Sequence, residues 1–292
     1  MKASPLFPDI PRYAPLKELL GFVPYSVINP WVYPDLVRRD NYLRDLIDDQ
    51  GQNRVGVLRG SGKPGAIHTG GVSVFSPLIT EILLQFYAPP PPASILDPFA
   101  GGGTRAIIAG LQGYVYDGIE LRIQEAERVC AHVKTLELDD RVLIVTGDST
   151  LGPQVLPAAD AVGPGAGEYD FLLTGPPYWN LERYGGGPAD LSMGTYDQYL
   201  CGIKAILAWT LKAIKPDGLA VWMVGNLIDG NDYVDIRADL SVIAREVGWK
   251  LHDCPVIMSK LGTAGQRVAN AARGRRLVRV HEYALVLRRP KE

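Results

Sequence analysis

From residue 75 onward the sequence predicts an α/β fold built on a mostly parallel sheet, and three observations carry that prediction. Short apolar runs of strand length, "ASILD", "YVYDGIEL", "RVLIVTGD", "YDFLLT" and "LAVWMVGN", alternate with longer stretches of helical period. Glycines stand directly between the first of these strands and its helix, in "ILDPFAGGGT". The last two apolar runs, "DCPVIMSK" and "EYALVLRR", follow each other with no helix between them. They are expected to pair antiparallel at one edge, which brings the count to seven strands.

The elements follow in order. Residues 1–70 are broken by prolines and hold one helix, around "RRDNYLRDLIDD"; they read as an irregular N-terminal extension to a domain spanning 71–292. "RGSGKPG" at 59–65 fails as a phosphate loop, because Val57 stands where the first glycine is needed and Pro64 where Ser or Thr must follow Lys63. "SPLITEILLQFY" is a helix with Ser76 as N-cap and Pro77 at its first position. "PPPP" at 89–92 is a rigid spacer. Further helices are "GGGTRAIIAGLQG" after its glycines, "RIQEAERVCAHVKTLEL", "YDQYLCGIKAILAWTLKAIK" closed by "PDG", and "IRADLSVIAREVG". "GPGAG" (163–167) and "GGGP" (185–188) are loops.

Composition narrows the function. Hydrophobic residues at 47% and charged residues at 21% are ordinary for a soluble protein, and no apolar run reaches the ~20 residues that span a bilayer. The proline-broken start is unsuited to a signal peptide, so a cytoplasmic location is expected. Three cysteines are too few and too scattered for a disulfide framework and read as small buried apolar side chains. His252 and Cys254 lie two apart, but no second cluster completes a zinc site, so no metal is expected. The net charge of −2 hides an asymmetry: residues 258–292 carry nine Lys/Arg against two Asp/Glu. A basic segment on an acidic body suggests a surface that faces a polyanion.

The chemistry lies in two motifs. Gly101-x-Gly103-x-x-Ala106 fits a nucleotide-binding turn at a helix N-terminus. Glu120 ends the second strand, where a carboxylate can accept both ribose hydroxyls, and Asp148 ends the third, where it can face an adenine ring. Asp97-Pro98 ahead of the glycines puts a carboxylate where a cationic ligand suits better than a pyrophosphate, which argues against a dinucleotide. The second motif is "TGPPYW" (174–179). Two prolines stop a buried strand and hold a backbone carbonyl outward, beside aromatic rings, and no dehydrogenase needs that.

"DPFAGGGT" resembles the S-adenosylmethionine motif of the amino-group DNA methyltransferases, and "TGPPYW" resembles their catalytic motif, usually Asp, Asn or Ser followed by Pro-Pro-Tyr/Phe. The likeness runs from Phe75 almost to the C-terminus. "SVFSP" is similar to the segment preceding the cofactor domain, and "GPPYWNLERYGGGPADLS" and "RRLVRVHEYALVLRR" to parts of phage and prophage members. The resemblance implies a Rossmann-like class I methyltransferase fold, S-adenosyl-L-methionine as cofactor and DNA as substrate, in a bacterial or phage-infected cell. It implies cofactor contacts from Phe75, Ser76, Asp97, Phe99, Gly101, Gly103, Thr104, Glu120 and Asp148. The catalytic turn would be Gly175, Pro176, Pro177 and Tyr178, with Tyr178 stacking on a base swung out of the duplex. Trp179 either extends that wall or packs into the core, and Tyr184 in the following glycine-rich loop helps to hold the base. Arg267, Arg273, Arg275 and Arg276, in the basic loop at 259–281, are expected on phosphates.

One departure matters. Gly175 stands where the family carries an acceptor side chain for the target amino group, leaving the Pro176 carbonyl and a water or neighbour such as Thr174. Alternatives to DNA amino methylation are therefore RNA or protein-glutamine methylation, or a catalytically impaired relative that binds cofactor and DNA. No segment after the catalytic motif is long enough for a large separate target-recognition domain. Specificity is short, loose, carried by residues 1–70, or supplied through a homodimer or a separate partner, a restriction partner included.

Overall fold

The computed structural model describes residues 25–47, 58–59, 75–156, 168–183, 187–260, 268 and 271–291. Tyr184, Arg267, the "GPGAG" loop, most of "RGSGKPG" and part of "GGGP" lie outside the described residues.

The strands read from the sequence form one sheet, larger than expected. In chain order the elements are β1 (Val27–Ile28), α1 (Pro34–Ile47), α2 (Pro77–Tyr87), β2 (Ser94–Asp97), α3 (Thr104–Leu111), β3 (Val115–Glu120), α4 (Ile123–Thr135), β4 (Val142–Thr146) and β5 (Tyr169–Thr174). Then come α5 (Tyr196–Ala213), β6 (Ile214–Val224), β7 (Leu227–Asp229), β8 (Asp232–Val234), α6 (Ile236–Glu246), β9 (Lys250–Asp253), β10 (Val256–Met258) and β11 (His281–Arg288). The main sheet has nine strands in the order β1-β10-β11-β6-β5-β2-β3-β4, with β9 also paired to β11. From β6 to β4 all neighbours are parallel; β11 is antiparallel to β6, β9 and β10.

The expected seven strands become nine for two physical reasons. Pro255, which cannot donate to a ladder, falls between β9 and β10 and splits "DCPVIMSK" in two. The N-terminal segment adds β1, parallel to β10, beyond the expected edge. Residues 25–47 are therefore part of the domain rather than an irregular extension. Leu36, Leu43 and Ile47 of α1 are buried in the core, and Arg39 pairs with the buried Glu81 of α2 at 2.7 Å. The sequence reading also passed over the β7–β8 hairpin, which turns on Gly230 and Asn231.

Strand side chains alternate between two cores, one on each face of the sheet. Ile95, Phe171, Leu173, Val221, Met223, Ala284 and Val286 pack with α1 to α4. Leu96, Leu172, Ala220, Trp222, Val224, Leu285 and Leu287 pack with α5 and α6. This period of two, buried on both faces, is why the strands read as near-continuous apolar runs. The cysteines depart from their expected burial: Cys201 and Cys254 are exposed and Cys130 is half-buried. Cys201 lies on the outer side of α5, and Cys254 occupies the break between β9 and β10.

Candidate active site

The C-terminal ends of β2, β3, β4 and β5 open on one cavity of about 380 Å³, the place where open α/β sheets take ligands. Phe75, Ser76, Phe99, Gly101, Thr104, Glu120 and Asp148 line it, and so do Gly175, Pro176, Pro177 and Tyr178. The two motifs, some seventy residues apart in sequence, thus share one space.

The glycine loop is built around Asp97, and here the sequence reading is corrected. Asp97 is fully buried and does not face a cationic ligand. Its Oδ1 accepts from the Phe99 N–H at 2.9 Å and the Thr174 hydroxyl at 2.5 Å. Its Oδ2 accepts from Arg105 Nε and the Tyr116 hydroxyl, each at 2.6 Å. Four donors occupy the carboxylate, so its work is to tie β2, β3, β5 and α3 together behind the loop. Thr174, whose hydroxyl donates to Asp97, is fully buried and does not line the cavity, so it is not placed to accept from a substrate there. Gly103 has φ +81° and caps α3; a Cβ there would stand 2.6 Å from Val129 Cγ1, so glycine is required twice over, though Gly103 itself does not line the cavity.

Arg105 is the residue the sequence reading missed. Burial would push its guanidinium down, but the Asp97 carboxylate overcomes this and holds it up. Nε goes to Asp97 and Nη2 to the Phe99 carbonyl, and the group lies 4.6 Å above the Phe75 ring. Nη1 makes no hydrogen bond with a described residue, and a Cβ on Gly175 would stand 3.3 Å from it. Arg105 lines the cavity, so the loop presents a donor where a carboxylate was expected. Its only sequence signal was its place one residue inside the helix that follows the glycines.

Glu120 ends β3, Asp148 follows β4 by two residues, and both line the cavity. Glu120 accepts the Gly101 and Arg122 N–H groups, each at 3.0 Å, one on each oxygen, and each oxygen keeps a second lone pair. Burial raises its carboxyl above the ordinary range, against the lowering effect of the Arg122 N–H and charge. Asp148 uses Oδ1 for the N–H and hydroxyl of Thr150, and its Oδ2 makes no bond to a described residue.

The catalytic turn is braced from behind. The Tyr178 ring lies against Gly225, where a Cβ would come within 2.8 Å of it. Trp179 turns away from the cavity: its indole N–H bonds the Gly194 carbonyl at 3.0 Å and its ring packs 5.0 Å from Tyr196. Of its two expected roles, packing holds. Its backbone has φ +42°, a rare conformation for a bulky residue, and such departures concentrate at functional turns.

The described arginines of the basic loop do not line the cavity. Arg276 bonds the Asn231 carbonyl and Arg279 lies over the Tyr233 ring, so the segment is docked on the β7–β8 hairpin, while Arg273 and Arg275 are exposed. The N-terminal segment instead supplies Trp31 and Arg44 to the cavity wall, beside Lys260 two residues past β10. No local pattern in residues 25–47 announced this.

No protein-family model matches the chain, and no curated protein does. Solved structures do. The [4+2]-cyclase SpnF aligns over 92% of this chain and 98% of its own, at 15% identity and a TM-score of 0.51. A methyltransferase from Pyrococcus furiosus aligns over 88% of this chain and 100% of its own, at 14% identity and 0.49. TrmN from Thermus thermophilus aligns over 73% of this chain at 16% identity and 0.48, and the match spans 49% of TrmN. At 15% identity the likeness to SpnF speaks for the fold alone, a Rossmann-like α/β architecture around a mostly parallel sheet.

Proposed function

We propose that this chain is a DNA methyltransferase, transferring a methyl group from S-adenosylmethionine to the exocyclic amino group of adenine (N6) or cytosine (N4) on a base swung out of the duplex. The observation that carries this reading is the shared cavity, in which the glycine loop and the Pro-Pro-Tyr turn face the same space.

The residues present fit the cofactor. The free lone pairs of Glu120 suit two ribose hydroxyls, Asp148 Oδ2 suits an adenine amino group, and Arg105 Nη1 is a donor for the amino-acid carboxylate. When bound, S-adenosylmethionine supplies an electrophilic methyl on a sulfonium. The chain's own task is placement. Pro176 and Pro177 fix the direction of the turn, and Tyr178, held by Gly225, offers a flat face to a base. With Thr174 buried outside the cavity and no side chain at Gly175, backbone carbonyls of the turn are the acceptors left to draw out the amino lone pair. A missing side-chain acceptor costs about 1–3 kcal/mol, roughly 10- to 100-fold in rate.

The test is incubation with labelled S-adenosylmethionine and unmethylated DNA, with RNA in parallel, then nucleoside digestion and mass spectrometry. N6-methyladenine or N4-methylcytosine from DNA is expected. Methyl on RNA alone moves the substrate to RNA, and none on either polymer, with cofactor bound, makes the chain a binding relative. Gly175→Ser is expected to fold, since its Cβ meets the end of the Arg105 side chain at 3.3 Å and ring carbons at 3.5 Å, and to preserve or raise turnover. A folded variant with abolished turnover would sink the acceptor argument.

A further inference from the structure

The cavity does not end at the catalytic turn. It continues to a wall formed by Trp31, Arg44 and Lys260, which come from two distant parts of the chain. These residues meet around Asp40 of α1, fully buried. Asp40 Oδ1 accepts the Ser76 hydroxyl at 3.0 Å, and Oδ2 accepts Arg44 Nε at 2.8 Å. That leaves Lys260. Its ammonium is 3.5 Å from the same Oδ2, longer than a well-formed charged hydrogen bond, and its side chain is half exposed. It makes no hydrogen bond to a described residue. It also lies 5.5 Å from the centroid of Trp31, whose indole N–H is fixed on the Met258 carbonyl. A cation held over an aromatic ring is directed without being neutralised. One carboxylate therefore serves two cations at the mouth of the cavity. The bland reading, that Arg44 and Lys260 only neutralise Asp40, accounts for Arg44 and leaves Lys260 in surplus.

We propose that Lys260 and Arg44, with Trp31 as the positioning residue for Lys260, form a phosphate subsite that grips the substrate strand beside the extruded nucleotide. The inference rests on the nucleic-acid reading above and assigns part of the target contact to residues 25–47. A phosphate here offers three ammonium hydrogens the acceptors they lack and leaves the cofactor end, at Glu120 and Asp148, untouched. Each such contact adds one released counterion to the salt dependence of binding.

The experiment titrates a 12-nucleotide single-stranded DNA into the protein saturated with S-adenosylhomocysteine, at several salt concentrations, using fluorescence anisotropy. Lys260→Gln is expected to weaken binding on the order of tenfold and to lower the salt slope by about one. Lys260→Arg should restore the slope. Trp31→Leu should weaken binding with Lys260 present and add little in the Lys260→Gln background. S-adenosylhomocysteine affinity, measured by calorimetry, should stay within about twofold in each. If the wild type binds DNA and Lys260→Gln binds equally well with the same slope, the subsite is wrong and the nucleic-acid reading stands. Loss of cofactor affinity in Lys260→Gln would give the wall to the cofactor and overturn the proposal. A wild type that binds neither DNA nor RNA at low salt removes the nucleic-acid reading and the subsite with it. Arg44→Gln leaves Asp40 less well paired; should it fail to fold, Lys260→Gln decides alone.

Discussion

In the proposed cofactor site Glu120 receives two hydroxyl donors, which its ionised form accepts best, yet it sits where burial makes its charge costly. Burial, the largest effect, raises its carboxyl above the ordinary value of 4.5 despite the Arg122 N–H and charge. A carboxyl whose folded pKa lies above its unfolded one holds its proton more tightly in the folded protein. Its contribution to stability is full below the unfolded pKa and is lost as pH rises through the folded one. Ligand binding runs the other way, because ribose hydroxyls favour the ionised form. S-adenosylhomocysteine affinity should therefore rise with pH above 4.5 and level off once Glu120 is ionised in the free protein. Glu120→Gln should bind roughly 10- to 100-fold more weakly, with a flat profile; calorimetry across the acid range checks both. An affinity that falls as pH rises would remove Glu120 from the cofactor's contacts.

At the scale of elements, α1 decides how the cavity is closed. It sits against α2 through the Arg39–Glu81 pair and the apolar contacts of Leu36, Leu43 and Ile47. Through Asp40 it reaches Ser76, which caps α2 by accepting the Ile79 N–H and also lines the cavity. Asp40→Ala strips the Ser76 hydroxyl of its acceptor and leaves Arg44 and Lys260 without their carboxylate. With those side chains 28% and 49% exposed, the loss falls below that of a fully buried pair, at about 2–3 kcal/mol. Urea denaturation should show it, and Asp40→Asn, which keeps an acceptor for Ser76, should recover part. A loss below about 0.5 kcal/mol would mean that α1 is not coupled to the site. The β7–β8 hairpin shows what element-level reading can recover. "LIDGNDYV" holds two short runs separated by Gly230 and Asn231, a two-residue hairpin signal, yet it lay unread between a strand and a helix.

At the scale of the whole molecule, the proposal of a nucleic-acid substrate is tested by where the basic charge is exposed. Of the described arginines in the basic segment, Arg276 and Arg279 lean on the β7–β8 hairpin, whereas Arg275 is exposed with φ +53°. Arg275→Ala should lower the salt slope of DNA binding by about one, while Arg276→Ala should mainly loosen the segment from Asn231; filter binding against salt for the first and limited proteolysis for the second distinguish them. An unchanged slope in Arg275→Ala would make the segment a solvated edge. No described helix is long and apolar enough to cross a membrane.

What the sequence determined by itself was whatever depends on local geometry. Strands covered on both faces by packed helices carry mostly apolar residues through their centres, so β2 to β6 and β11 were legible as runs. Gly103 had to be glycine, since its φ of +81° and Val129 exclude a Cβ. Pro176 and Pro177 had to end β5, and Glu120 at the end of β3 and Asp148 just past β4 could be placed at the strand ends from the runs that precede them. Only the tertiary structure decided which charge faces the cavity: it folded Asp97 inward onto four donors and turned Arg105 toward Gly175. Only it brought β1 beside β10, and Trp31 to Met258 across 227 positions of chain. Such contacts are set by how packed layers close on one another, and a side chain's neighbours across a sheet leave no period or spacing in the sequence that could announce them.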